Sequence, residues 1–322
     1  MGGQLFKDVE TPRMSYASYH RRVRDMLQKE HGSLYQVPTV FGDKQDFGDL
    51  DVVGLMTTSV FVDDMAPISF VKHDPTTVSL LMQDAEGFYQ VDYRCVELGT
   101  LDFAARYFSN NDLGNLIGRL AHRMGLKFGF EGLIYCLNDG TKRLGEFTLT
   151  TDFDTALDHL GFESKPRTFE TRLDAFDWML TSRYFVASAF PLEHQSHRAR
   201  VRDRKRPTYN GFLQYLSANG HCLDYVKSNP SAFLEYHFNR FPELRAWYER
   251  TLQVNTDKVR FKQLFGGSAV RDCTGLSGPE LGSFMEEFKG TLSMTDLSLQ
   301  MTEEDASDVI RLFYKAYQKI HS

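Results

Sequence analysis

Two aspartates stand two residues apart in Phe41-Gly-Asp-Lys-Gln-Asp-Phe-Gly-Asp49-Leu-Asp51-Val-Val-Gly-Leu55, at the head of the apolar run Val52-Val53. If that run is a strand, side chains alternate between its faces, so Asp49 and Asp51 leave the same face close together. Like charges at that spacing repel and are tolerated mainly where a cation lies between them. A third acid, Asp92, sits inside Phe88-Tyr-Gln-Val-Asp92-Tyr-Arg-Cys-Val96, where a central-strand carboxylate is costly without a partner or a metal. Three acids on two strands are what phosphoryl transfer with two metal ions requires. One ion activates an attacking hydroxyl, and the other steadies a triphosphate and the leaving pyrophosphate. Gly42 and Gly48 would let the backbone come close to a ligand's phosphates. Each acid also has a plainer reading: Asp-x-Asp pairs are common in turns and at surfaces, and Asp92 could be a solvated edge-strand residue. The order and spacing of all three favour the metal.

A second pattern is a run of cations. His197-Arg-Ala-Arg-Val-Arg-Asp-Arg-Lys-Arg206 carries six of them within nine residues: Arg198, Arg200, Arg202, Arg204, Lys205 and Arg206. The first four alternate, so an extended segment puts four guanidiniums on one side, a comb suited to a nucleic-acid phosphate backbone. Tyr209, Phe212 and Tyr215 follow and could stack on unpaired bases. A solvated charged linker is the competing reading. In a chain of net charge −6 the concentration of cations favours nucleic-acid contact.

The elements that must position these residues change character along the chain. Residues 12–30 read as a polar-faced helix with Pro12 near its start. From 37 to 150, short β-branched and aromatic runs are separated by Gly, Asp and Pro. VPTVF, LDVVGLM, SVFV, TVSLLMQ, FYQVDYRCV and FEGLIYCL are the strand candidates, with helical spacing between at 101–125. From 151 onward the pattern is mainly helical, over 168–186, 208–218, 229–238, 242–252, 277–289 and 303–321. Thr302 and Asp305 form a capping-box-like start to the last helix. This is an α+β sheet domain at 37–150 behind an N-terminal helix (1–36), followed by a helical, nucleic-acid-binding domain at 151–322. At 322 residues, 42% hydrophobic and 25% charged, the composition is that of a soluble globular protein. No stretch approaches about 18 uninterrupted apolar residues, so no membrane partner is expected. Cys95, Cys136, Cys222 and Cys273 are scattered without CxxC pairs, which fits free thiols in the cytoplasm or another intracellular reducing compartment.

Gly48-Asp-Leu-Asp-Val52 resembles the GDxDxL core of nucleotidyltransferases of the DNA polymerase beta type (family X). Gln90-Val-Asp-Tyr-Arg94 resembles the strand bearing that family's third aspartate. Ala105-Arg-Tyr-Phe-Ser-Asn-Asn-Asp112 is similar to its YFTGS-type segment, and Ala121-His-Arg-Met-Gly-Leu-Lys-Phe128 with Glu131-Gly-Leu is similar to its AxxxGLKhNEYGL stretch. The four motifs are collinear over residues 38–165. The resemblance implies a small mixed or antiparallel-sheet, polymerase beta-like palm followed by a mainly α-helical domain. It implies two Mg²⁺ ions, or Mn²⁺, on Asp49, Asp51 and Asp92, with Asp92 also helping the acceptor hydroxyl lose its proton. Tyr107 and Phe108 would pack against the incoming nucleotide, with simple core packing as the alternative, and Asn115 would contact a base. The family's glycine–serine turn and paired arginines are not matched, since Asp43 follows Gly42, which leaves the triphosphate to Lys44 or to residues elsewhere. No helix-hairpin-helix repeat or lyase domain is recognisable before residue 37. A shorter stretch, Phe265 to Phe288, resembles the GxxPGPxLGxxL-type element in the tails of CCA-adding enzymes and bacterial poly(A) polymerases.

Three function classes follow. The first transfers a nucleoside monophosphate from an NTP to the 3′-hydroxyl of a nucleic acid, with RNA such as tRNA slightly favoured and a family X-like DNA polymerase as the alternative. The second modifies a small molecule or a protein and would need the three acids but not the basic run. The third, a binding module without activity, is disfavoured by the intact carboxylates.

Overall fold

A computed structural model of the chain describes residues 5–29, 31–224, 226–291 and 301–321. In chain order the elements begin β1 (Met14–Ser15), α1 (Tyr16–Leu27), β2 (Tyr35–Gln36), β3 (Asp46–Phe47), β4 (Asp49–Gly54), α2 (Thr58–Met65), β5 (Ser69–Asp74), β6 (Thr77–Asp84) and β7 (Gly87–Cys95). They continue α3 (Leu101–Phe108), α4 (Leu113–Arg123), β8 (Leu126–Gly129), β9 (Gly132–Asp139), β10 (Lys142–Thr150), α5 (Phe153–His159), α6 (Arg172–Leu180), α7 (His197–Asp203), α8 (Pro207–Ala218) and α9 (Leu234–Arg240). The last four helices are α10 (Pro242–Phe265), α11 (Gly267–Thr274), α12 (Gly278–Thr291) and α13 (Glu303–His321). The fold is α+β, as expected, with a mixed sheet and a helical remainder. Among the described residues no helix is long and apolar enough to cross a membrane, and all four cysteines are free thiols.

The main sheet has the order β2-β4-β7-β6-β5, in which β4 and β7 run parallel and the other pairs antiparallel. Alternation decides which side chains go inward. Leu50 and Val52 of β4, Val91 and Tyr93 of β7, and Val78 and Leu80 of β6 join one core with Phe61 and Met65 of α2 and Tyr19 and Met26 of α1. Each such side chain contributes about 1.5–3 kcal/mol on burial. The intervening residues of β4 are therefore turned to the opposite face, where Val53 packs against Ala104 and Ala105 of α3. Gly54 is required by close approach, because a methyl there would collide with the Tyr93 ring and the Leu34 carbonyl. Arg22, only 5% exposed, grips Asp84 through two hydrogen bonds of 2.8 Å and ties α1 to the β6–β7 hairpin.

Several expectations about elements are corrected. Ser59-Val-Phe-Val62 lies in α2 and is not a strand: the Thr57 hydroxyl accepts from the Val60 N–H at 3.4 Å, and Phe61 and Met65, one turn apart, face the sheet. Residues 37–41 are no strand either. Their neighbours are a side chain and a distant loop, with the Thr39 N–H donating to Ser109 Oγ and the Gly42 N–H to the Phe169 carbonyl. The first helix begins at Tyr16, since Ser15 caps it and Pro12 stands outside. A capping box between Thr171 and Asp174 starts α6 later than expected, and α10 runs well beyond residue 252. The strands β5, β8 and β10 were not anticipated.

The chain forms two compact units, Met1–Cys136 with Glu146–Phe241, and Leu137–Gly145 with Pro242–Ser322. The expected boundary at 150 falls inside the first. In the second unit Phe265, Val270, Phe284, Phe288 and Ile310 make a core among α10 to α13. The stretch expected to resemble an RNA-modifying tail is a helix junction there: Gly275 ends α11 in the left-handed region (φ 73°), and α12 starts at Gly278.

Within the first unit, α5 and α9 bury a histidine pair. His237 Nε2 donates to the Met124 carbonyl at 2.9 Å, which leaves its Nδ1 to accept from His159 Nε2 at 2.8 Å. His159 is then neutral, with a buried Nδ1 that has no partner. Burial, with His237 and the nearby Arg240 and Arg183 adding to it, pushes His159 down to about 3.

Candidate active site

The face of the main sheet opposite the core carries three rows of side chains set by the strand register. Asp49 pairs with Gln90, Asp51 with Asp92 and Val53 with Arg94 across β4 and β7; Asp92 pairs in turn with Ser79 and Arg94 with Thr77 across β7 and β6. Asp51 and Asp92 are thus neighbours on adjacent parallel strands, with Asp49 two residues away on the same face. The protein surrounding Asp51 at the cleft floor, together with Asp49 and Asp92, pushes its carboxyl up to about 7, although its outer surface still meets solvent. Gln90 Nε2 donates to Asp92 Oδ1 at 2.8 Å and holds it in place. Lys44 lies on the other flank, over the Phe47 ring at 4.6 Å and 3.4 Å from Asn111 Oδ1. Burial lowers the Lys44 pKa, and Asp51 and Asp49 act in the opposite direction.

The donors on this face are carboxylate oxygens, which suit a hard divalent cation such as Mg²⁺ or Mn²⁺. Among the described residues, however, no three or more His, Cys, Asp or Glu side chains are gathered closely enough to hold an ion as they stand. The face therefore carries three carboxylates in register without gathering them around one point.

Beyond Asp92 a cavity of about 220 Å³ opens, lined by Asp51, Asp92, Ser79, His73, Arg94 and Phe108 among others. Phe108 reaches this cavity and stacks on Phe130 at 5.8 Å, while Arg94 lies over the Phe130 ring at 4.8 Å. Tyr107 instead packs against Phe108 and Phe128, and Gly114 closes on it. For Tyr107 the core-packing alternative describes what is seen.

Asn115 is committed elsewhere. It donates to Asp203 Oδ1 at 3.1 Å and accepts from Arg202 at 2.8 Å. Asp203, fully buried, also holds Arg119 at 2.7 Å and Arg202 at 2.6 Å. Gly42 lies against the Glu170 carboxylate, a poor neighbour for a phosphate. Gly48 is half-buried between β3 and β4.

The basic comb is corrected more thoroughly. Residues 197–203 are the helix α7, not an extended segment. On a helix, residues two apart point to opposite sides, so Arg198 and Arg202 separate from Arg200. Arg202 and Arg206 are tied to Asp203 and Asp112. Arg198, Arg204 and Lys205 remain exposed. Tyr209 and Phe212 are fully buried and offer no face to a base, while Tyr215 is half-buried with its hydroxyl donating to Asp177.

The sequence reading missed Arg94, Ser79 and His73. Arg94 could have been found from its spacing, two residues after Asp92 on the same face. Ser79 and His73 carried no sequence signal, because only the register of β5, β6 and β7 against one another brings them to this row.

No family model matches the chain, and no curated protein matches it. Among solved structures it is similar to the ternary P/T complex of Leishmania infantum polymerase beta, at 12% identity and a TM-score of 0.39, over 51% of this chain and 78% of that one. It is also similar to the ternary gap complex of Leishmania infantum polymerase beta, at 11% identity and a TM-score of 0.33, over 40% of this chain and 53% of that one.

Proposed function

We propose that the chain is a metal-dependent nucleotidyltransferase that moves a nucleoside monophosphate from an NTP to the 3′-hydroxyl of a nucleic acid, with release of pyrophosphate. The observation that carries this reading is the row of Asp51 and Asp92 in register on adjacent parallel strands, with Asp49 beside them on the same face. In the reaction the acceptor oxygen bonds to the α-phosphorus, the α–β phosphoanhydride bond breaks, and pyrophosphate leaves with the bridging oxygen.

Asp49, Asp51 and Asp92 would hold Mg²⁺ or Mn²⁺, which when bound neutralises triphosphate charge and makes the acceptor hydroxyl more acidic. Asp92, positioned by Gln90, accepts the hydroxyl proton and passes it to water. Lys44 places a cation on the Asp49 and Asp51 flank and suits the triphosphate. Phe108 at the edge of the cavity offers a ring to a sugar or base. Exposed Arg198, Arg204 and Lys205 supply backbone-phosphate contacts away from the reacting atoms. RNA is favoured over DNA as acceptor by the resemblance of residues 265–288 to tails of RNA-modifying transferases.

The test offers labelled NTPs and dNTPs with Mg²⁺ to RNA and DNA oligonucleotides, alongside Asp49→Asn and Asp51→Asn. The expected result is 3′ extension that falls by about 10²–10⁴ in either variant. No extension of either polymer would sink the proposal, and extension surviving both substitutions would sink the assignment of the acids. Extension of DNA with dNTPs alone would identify a DNA polymerase instead.

A further inference from the structure

The row that contains the carboxylates does not stop at Asp92. Ser79 is its register partner on β6, and His73 Nε2 meets Ser79 Oγ at 2.9 Å. Alternation already puts His73 on this face, because Val71 is the register partner of Ser79 and His73 stands two residues further along β5. The β5–β6 ladder runs Val71 to Ser79 and Lys72 to Val78, then shifts, with Asp74 opposite Thr77. His73 is the extra residue of this bulge. A bulge leaves one residue out of the ladder and bends the strand locally, a device frequent beside active sites. Here the side chain of this exposed edge-strand histidine reaches back to Ser79, which is 3% exposed, and both line the cavity that also exposes Asp51 and Asp92.

Resting on the nucleotidyl-transfer reading, we propose that His73 and Ser79 bind the 2′-hydroxyl of the acceptor's terminal nucleotide and so select RNA ends. The two flanks of the carboxylate row differ in chemistry. Lys44 lies on the Asp49 and Asp51 side and suits phosphates, which leaves the acceptor to the β6 and β5 side. With an acceptor 3′-hydroxyl at Asp92, a vicinal 2′-hydroxyl turned toward β6 would meet Ser79, the register partner of Asp92 on the neighbouring strand. The group waiting there is a hydroxyl–imidazole pair able both to donate and to accept, the complement of a sugar hydroxyl. A 2′-hydroxyl is the feature by which a protein tells RNA from DNA at a given position. Arg94 in the same cavity supplies one cation, enough for the terminal phosphodiester, and the cavity of about 220 Å³ has room for a pentose.

The test uses the full chain, NTP and Mg²⁺, with two oligonucleotide acceptors identical except for a ribose or a 2′-deoxyribose at the 3′-terminal nucleotide. Wild type is expected to prefer the ribose end by about tenfold or more in kcat/KM, the scale of one or two lost hydrogen bonds in a closed site. His73→Ala and Ser79→Ala should each reduce that preference severalfold, mainly through the acceptor KM, and leave the Kd for NTP measured without acceptor unchanged. His73→Gln, which keeps a donor, should recover part of it. Because His73 faces solvent, its truncation leaves the sheet core intact, and a thermal melt verifies this.

The inference is overturned if wild type shows no ribose preference, if the preference survives both alanine variants, or if the NTP Kd weakens as much as the acceptor KM. In all three cases nucleotidyl transfer itself still stands. Absence of any transfer by wild type overturns the functional reading, and this inference with it.

Discussion

The buried pair His159–His237 makes a quantitative prediction that owes nothing to the reaction. His159 is held neutral at about 3 against an ordinary value of 6.5, so the unfolded chain binds a proton that the folded chain refuses. The stability from this mismatch is fully present above 6.5 and is lost as pH falls through 6.5 toward 3. Between pH 8 and pH 5 the loss from His159 alone amounts to about 2 kcal/mol. His237 is lowered by burial as well and adds a share in the same direction.

The perturbation is His159→Gln, whose amide can still donate to His237 Nδ1 but cannot take up a proton. Urea unfolding between pH 5 and 8, followed by Trp178 fluorescence in a Trp247→Phe background, reads the first unit alone. The change between pH 8 and 5 should differ between parent and variant by about 2 kcal/mol, because the His237 share and the opposite contribution of the raised Asp51 carboxyl are common to both. If the variant and the parent lose stability equally between pH 8 and 5, the assignment of His159 as a buried neutral base is wrong.

Other perturbations probe the parts of the fold that position the site. Asp203→Asn leaves Arg119 beside an uncharged partner in a buried pocket and should destabilise the first unit by about 3 kcal/mol in thermal melts, with no direct effect on the carboxylate row. Arg22 and, to a lesser degree, Arg21 hold Asp84 down to about 2, so this contribution is present above the ordinary carboxylate value of 3.8 and disappears as pH falls through about 2. Arg22→Ala should accordingly cost about 1 kcal/mol near neutral pH, after solvent screening is allowed for, and should flatten the acid limb of the stability curve. Replacing Arg198, Arg204 and Lys205 together by Ala should raise the acceptor KM and reduce the slope of log KM against log salt by about 2, three single-strand phosphate contacts' worth. An unchanged slope would remove α7 and its C-terminal cap from the acceptor path.

The sequence determined the parts of this protein that depend on local spacing. Residues two apart on a strand share a face, so spacing alone places Asp49 and Asp51 together, and the 88–96 run is recognisable as the strand carrying Asp92. Helix caps are equally local: Thr302 and Asp305 cap the start of α13 where the spacing puts them. Errors arose where a local pattern was ambiguous. Ser59-Val-Phe-Val62 has strand-like residues, yet Thr57 and the spacing of Phe61 and Met65 make it a helix. The alternating arginines of 198–204 read as a comb only if the backbone is extended, and Ser196 caps a helix there instead. Tertiary structure alone decided what depends on partners far away in the chain. Asn115, Arg202 and Arg206 were captured by Asp203 and Asp112, whose buried charges outweigh any pull toward solvent. Register likewise brought Ser79 from one strand and a bulged His73 from another into line with Asp51 and Asp92, because hydrogen-bond ladders fix which residues of separate strands share a row.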